Sequence, residues 1–148
     1  MKSLPGFSLE VYGDGPLKEE LKTLAKSERL DVGFHGKWPG DSNDLFRKYR
    51  FVFAARQLTI LEALGNGAIV FSVHTSEIMK DLLVGMGSPR EAHILAGSVG
   101  ELAERFNEIA KEPEKSLLLR SEKGKRYALS LDWGNIAKSY LREYSRIL

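Results

Sequence analysis

Two short runs, Phe51-Val52-Phe53-Ala54 and Ala68-Ile69-Val70-Phe71, carry no polar side chain, and a segment of helical period separates them. A strand that is apolar on both faces must be covered on both faces. Such strands belong to parallel sheets whose connections are helices. The rest of the chain follows the same alternation. Phe7 to Tyr12 reads as a strand, Gly13 and Gly15 punctuate it, and Leu17, Leu21, Leu24 and Ala25 then recur at helical spacing, with Pro16 suited to the first helical turn. Val32 to His35, closed by Gly36, is a second strand, and Asp41 or Ser42 can cap a brief helix through Leu45, Phe46 and Tyr49.

Beyond the first apolar run, Leu58 to Leu64 is helical and ends at Gly65 and Gly67. A helix from about Thr75 carries Ile78, Leu82 and Leu83, and a connection through Gly85, Gly87 and Pro89 leads to a weak strand around Ala92 to Leu95. Ser98 with Glu101 forms a capping box for a helix whose apolar stripe is Val99, Leu102, Ala103, Phe106, Ile109 and Ala110. Two further helices, Pro113 to about Leu129 and Asp132 to the end, complete the chain. The pattern predicts an α/β fold: a three-layer α/β/α Rossmann-like domain with a parallel sheet of about five strands plus C-terminal helices. It is read as a single domain over residues 1–148.

Charge narrows the partners little. Lys plus Arg outnumber Asp plus Glu by 22 to 20, a net +2 that gives no reason to expect nucleic acid. With no cysteine, disulfides, thiol nucleophiles and Cys-based zinc sites are excluded. His35, His74 and His93 lack ligand-type partners at helical spacing, so no metal is expected. No apolar run approaches the roughly 20 residues of a membrane-spanning helix. Met1-Lys2-Ser3-Leu4-Pro5 leads into no signal-peptide core, which predicts a cytoplasmic protein.

In parallel sheets ligands bind beyond the carboxyl ends of the strands, and this directs attention to the loops after Tyr12, His35, Ala54 and Phe71. Gly13-Asp14-Gly15-Pro16 either lets backbone amides approach a phosphate or sugar or is a plain strand-to-helix turn; Lys18 stands where a dinucleotide fingerprint needs its third glycine. The helix of Leu58-Thr59-Ile60-Leu61-Glu62 begins with free N–H groups, and Arg56 just ahead of it could grip a diphosphate or simply be solvated. Glu62, in an otherwise apolar segment, either meets donors such as ribose hydroxyls or complements the helix dipole. Arg120, Lys123, Lys125 and Arg126 read as the wet face of a helix in preference to a lipid or phosphate patch. Trp133, Tyr140 and Tyr144, at helical spacing, read as core or inter-lobe packing. A phosphoryl-receiver domain would need an aspartate at the end of the Phe51 to Ala54 strand, and there is none.

Taken in order, these segments resemble the C-terminal domain of the family-four retaining glycosyltransferases, of the GT-B class with two facing Rossmann-like domains. Leu9-Glu10-Val11-Tyr12-Gly13-Asp14-Gly15-Pro16 resembles the family's strand and Gly-x-Gly-Pro turn, and Val32-Gly33-Phe34-His35-Gly36 is similar to its V-x-F-x-G strand. Leu58 through Val70 resembles the L-x-x-L-E-A-x-A-x-G-x-P-V-V signature with Ala68 at the proline. Glu77 matches a later glutamate, and Leu131-Asp132-Trp133 is similar to an F-S-W segment.

The resemblance implies a donor domain that binds a nucleoside-diphosphate sugar such as a UDP- or GDP-sugar, with no cofactor and no metal. It places Gly13 and Gly15 at the cleft turn, Gly36, Lys37 and Trp38 beside the base, the Leu58 and Thr59 amides at the phosphates, and Glu62 on the ribose. It also implies that the acceptor lobe is absent and comes from other sequence or a partner chain. A lipid or glycan acceptor would bring peripheral association with the inner face of a membrane. The family's sugar-contacting glutamate has no counterpart in Ala54-Ala55-Arg56-Gln57, which keeps open a second reading, a non-catalytic binding or scaffold domain: a pseudoenzyme or one subunit of a split transferase.

Overall fold

The computed structural model describes residues 6–147; Met1 to Pro5, the stretch read for a signal peptide, and Leu148 lie outside the described residues. The chain is α/β. It alternates β1 (Leu9–Tyr12), α1 (Lys18–Ser27), β2 (Val32–Gly36), α2 (Ser42–Phe46), β3 (Phe51–Phe53), α3 (Gln57–Gly65), β4 (Ile69–Val73), α4 (Glu77–Gly85), β5 (His93–Ala96) and α5 (Val99–Ile109). The helices α6 (Glu114–Ser130) and α7 (Trp133–Ile147) follow. All ladders are parallel, as helical connections require.

The expectation of one sheet of about five strands is corrected: the five strands pair as β1-β2 and as β3-β4-β5. Hydrophobic pattern identifies a strand but not its neighbour. β3 is three residues long, and the ladder found for it is with β4. As an outer strand it is also less covered than its sequence suggests: Phe53 is 50% exposed, whereas Ile69 to Phe71 of the central β4 are fully buried. Two compact units result, Met1–Ser42 and Asn43–Leu148.

The first unit pairs β1 with β2 from Leu9↔Val32 to Tyr12↔Gly36, with a shift of register between Val11 and Tyr12. Pro16 precedes α1 rather than lying within it. At Gly33 an added Cβ would meet the end of the Glu10 side chain, which would have to move aside, because the Glu10 carboxylate crosses the glycine to bond His35 Nε2.

The second unit is three-layered. Val70 and its neighbours pack against Ile60, Ala63 and Leu64 of α3, Leu83 of α4 and Tyr127 and Ala128 of α6. On the other side Phe106 of α5 meets Phe51, Phe53 and Phe71 with ring centroids 5.2 to 5.5 Å apart. Ser76 and Ser98 cap α4 and α5, accepting from Met79 N at 3.2 Å and Glu101 N at 3.1 Å. The predicted capping box takes a variant form: the Glu101 carboxylate accepts from Gly97 N, one residue ahead of the cap.

Arg120 and Lys123 do not form a free phosphate patch. Arg120 grips Glu112 with two bonds of 2.8 and 2.6 Å and donates to Glu91 O, while Lys123 pairs with Glu91 at 2.6 Å. Together with Ser121 Oγ donating to Gly67 O and a bidentate Arg50–Glu114 pair, these bonds tie α6 to residues immediately before β3, β4 and β5. Thus α6 runs along the amino rim of the sheet. It packs tightly at Gly124, where an added Cβ would lie 2.8 Å from Leu64 Cδ2 of α3 and 2.9 Å from Ala92 Cβ. The rings of α7 are not core: Trp133 is 84% exposed, and Tyr140 and Tyr144 are exposed as well.

Candidate functional site

The residues expected to bind a donor fall in both units, and each group is described by itself. In the first unit the loops leaving β1 and β2 meet. Gly13, at φ +133°, donates its amide to Gly36 O at 2.7 Å, and Gly36 sits at φ +71°. Both conformations are open to glycine and strained for other residues. Gly13 therefore shapes the turn, and its N–H is already used.

Asp14 lies over the same loop. The Lys18 ammonium hydrogen-bonded to it, with the Lys37 amide assisting, holds its carboxyl below the usual range. That carboxylate occupies the space beside Gly36, where a Cβ would meet Asp14 Oδ2 at 3.2 Å. Gly15 and the Lys37 side chain are exposed. Trp38 is partly buried, donates its indole N–H to Asp41 O at 2.9 Å and stands edge-on to Tyr12, which in turn stacks on His35 at 4.7 Å. Gly13, Gly15, Gly36, Lys37 and Trp38 thus share one loop cluster. Its stacked aromatics include Tyr12, a member that sequence reasoning missed because period-2 alternation alone does not reveal a ring cluster.

In the second unit α3 follows β3 after a short loop. Arg56 occupies its N-cap position in extended conformation, φ −101° and ψ 133°, and no side chain caps the helix. Ile60 N bonds back to Arg56 O, and no hydrogen bond is found for the Gln57, Leu58 and Thr59 amides among the described residues. Three N–H groups and the positive end of the helix dipole therefore stay open at the carboxyl end of β3, whereas α4 and α5 use a serine to close the same position. Leu58 is 75% exposed. Arg56 is exposed, with no ion pair among the described residues.

Glu62 is exposed and stands one turn after Leu58 on the same helical stripe, roughly 6 Å along the axis. It lines an open groove of about 450 Å³ with Asn43, Arg47, Asn66, Lys125 and Leu129. This groove lies toward the C-terminal end of α3, and Leu58 and Thr59 are not among its walls. Asn66 donates to Asn43 across it at 2.7 Å. Arg47 and Lys125 give the Glu62 region two cations. Lys125 was legible only as part of a basic run, and Arg47 not at all. Arg126 remains on the exposed helix face.

Behind β3 lies a buried polar chain. His93 is 1% exposed, with Nε2 2.9 Å from Ser72 Oγ and Nδ1 2.7 Å from Ser88 Oγ. Ser72 donates its own proton to Ala54 O, so it accepts from His93, and Nε2 must carry the imidazole proton while Nδ1 accepts from Ser88. Burial without a counter-charge pushes His93 down to about 4. The carbonyl at the end of this chain belongs to the residue opening the β3–α3 loop.

No group of three or more His, Asp or Glu residues placed to hold a metal occurs among the described residues, and no described helix is long and apolar enough to cross a membrane. Comparison with protein-family models and with curated proteins returned no match.

Proposed function

We propose that this chain is the donor-side domain of a sugar-nucleotide-dependent glycosyltransferase, holding the diphosphate of a nucleoside-diphosphate sugar for transfer to an acceptor presented by another domain or chain. One observation carries the reading: the uncapped start of α3, with Arg56 ahead of it, at the carboxyl end of a parallel strand in the segment that resembles the family signature. Glu62, exposed and one turn further along the helix, is the carboxylate assigned to the ribose hydroxyls on this reading. Charge on the leaving diphosphate would be met by amides and Arg56 rather than by a metal. Such a domain works in the cytoplasm.

Titration calorimetry with UDP and GDP tests the proposal, and binding in the micromolar to millimolar range is expected; absence of heat, with no NMR shift at millimolar ligand, removes the donor site. Glu62→Ala should weaken a nucleoside diphosphate about tenfold, as the loss of a charge-assisted hydrogen bond implies, and leave inorganic pyrophosphate nearly unchanged. Equal losses contradict the ribose assignment.

One observation favours a non-catalytic binding or scaffold domain: Ala54-Ala55-Arg56-Gln57 offers no carboxylate between β3 and α3. On that reading UDP or GDP binds while UDP- and GDP-hexoses are neither hydrolysed nor transferred when an acceptor lobe is supplied.

A further inference from the structure

The link from β3 to the open start of α3 has little with which to hold itself: Ala54 and Ala55 carry only methyl groups, and the Arg56 side chain is exposed. Its backbone leaves the ladder at once. Ala54 N still donates to Phe71 O at 3.0 Å, whereas Ala54 O accepts from the hydroxyl of Ser72, which is only 2% exposed. The peptide that opens the link is thus aimed at a buried hydroxyl, and the direction in which the chain leaves the sheet depends on where that hydroxyl points.

The hydroxyl is not free to turn. Ser88 donates to His93 Nδ1 at 2.7 Å, which keeps the imidazole proton on Nε2; Nε2 donates to Ser72 Oγ at 2.9 Å; and Ser72 passes its single proton on to Ala54 O. The three bonds run one way, from the α4–β5 connection through β5 and β4 to the end of β3. With the proton on Nδ1 instead, Nε2 would draw the Ser72 proton and Ala54 O would lose its donor. Burial keeps the ring neutral, its pKa lowered to about 4, so Nδ1 remains an acceptor at neutral pH.

We propose that Ser88, His93 and Ser72 form a positioning relay for the phosphate site, setting the Ala54 peptide and through it Arg56 and the amides of Gln57, Leu58 and Thr59. The ligand part of this inference rests on the donor reading above. The far end of the link is tied less firmly, by Gln57 Nε2 to Leu82 O at 3.4 Å, so the Ala54 end decides where the helix starts. Ile60 N, bonded to Arg56 O at 2.9 Å, carries that placement into the first turn. Three satisfied polar side chains are a costly way merely to fill a core that apolar groups could fill.

The full chain is titrated with inorganic pyrophosphate, and its amide NMR spectrum is recorded without ligand. Nitrogen shifts of the His93 ring should show Nε2 protonated and Nδ1 bare. Ser88→Ala acts at the end of the relay farthest from the link, yet it should move the amide resonances of Arg56 to Thr59 and weaken pyrophosphate about tenfold, as the loss of roughly one charge-assisted hydrogen bond implies. Ser72→Ala should do at least as much. His93→Gln, whose amide can supply an N–H donor near the place of Nε2, should keep most of the affinity that His93→Leu loses. Ser121→Ala removes a hydroxyl bond to Gly67 O outside the relay and should leave both readouts unchanged, which separates positioning from a general loss of stability; circular dichroism checks the fold of each variant. A ring protonated on Nδ1, unmoved resonances in the two serine variants of the relay, glutamine no better than leucine, or Ser121→Ala as harmful as Ser72→Ala overturns the inference. If the unaltered chain takes up no pyrophosphate the donor reading fails, and the Arg56 to Thr59 resonances alone then decide whether the relay sets the helix start.

Discussion

His93 shows how much one residue can set. Its imidazole reaches Ser72 on β4 and, through that hydroxyl, the Ala54 carbonyl just after β3, so a proton on a single nitrogen orders polar groups from neighbouring chain segments. Because the native pKa of about 4 lies below the unfolded value of 6.5, both states are neutral above pH 6.5 and the full contribution is present there. As pH falls through that window the unfolded chain takes up a proton that the native one does not. Stability should decline by up to about 3 kcal/mol. NMR titration of the His93 ring and urea midpoints check this, with the decline already visible between pH 6.5 and about 5, above the range where most carboxylates protonate. Ser72→Ala leaves the His93 N–H without its acceptor and should cost about 1–3 kcal/mol. None of this could be read from the sequence. His93 and Ser72 stand 21 residues apart and meet only through the β4–β5 register, and a lone histidine in an apolar run carries no label for its partner.

At the scale of elements, the helix starts separate stability from binding. Ser76 and Ser98 close α4 and α5, and Arg56 leaves α3 open although its backbone has the same extended form. Arg56→Ser should therefore stabilise the ligand-free protein by about 0.5–1 kcal/mol, by supplying the missing cap. It should weaken pyrophosphate and UDP binding, because the cap engages an amide and the cation is gone. Chemical denaturation and calorimetry on the same sample read both, and a gain in stability with unchanged pyrophosphate binding would count against the α3 site. The existence and order of the elements were legible because local signals fixed them: Ser98 with Glu101 for α5, Gly36 for the end of β2, helical spacing from Leu58 for α3. Strand pairing was not. The apolar run at Phe51 marks a strand without naming its neighbour, and so the division into two sheets and the exposure of Phe53 emerged only in three dimensions.

For the whole molecule the two compact units differ in what they bury. Residues 43–148 enclose Ile60, Ala63, Leu64, Val70, Leu83 and Ala92 in one cluster around a fully covered central strand. Residues up to Ser42 bury only Ala25 and Gly36 among those described, in two strands and a helix. Domains of about 40 residues without disulfides or metals seldom hold together alone. A fragment of residues 43–148 should thus unfold cooperatively in urea, while residues 1–42 alone should show no cooperative transition; a folded 1–42 peptide would overturn this ranking. The α/β class was visible in the alternation of apolar runs with helical segments. The candidate site was visible only as far as its glycines and its helix start, since the grouping of Tyr12, His35 and Trp38 and the cations beside Glu62 depend on which loops fold together.

The missing methyl at Gly124 has a mechanical meaning. With Leu64 and Ala92 pressed against its backbone, α6 cannot shift lengthwise past α3 without collision, and the bonds to Gly67 and Glu91 pin it at further points. Any sliding of α6 over the layer beneath β4 therefore has to break these contacts together rather than one at a time.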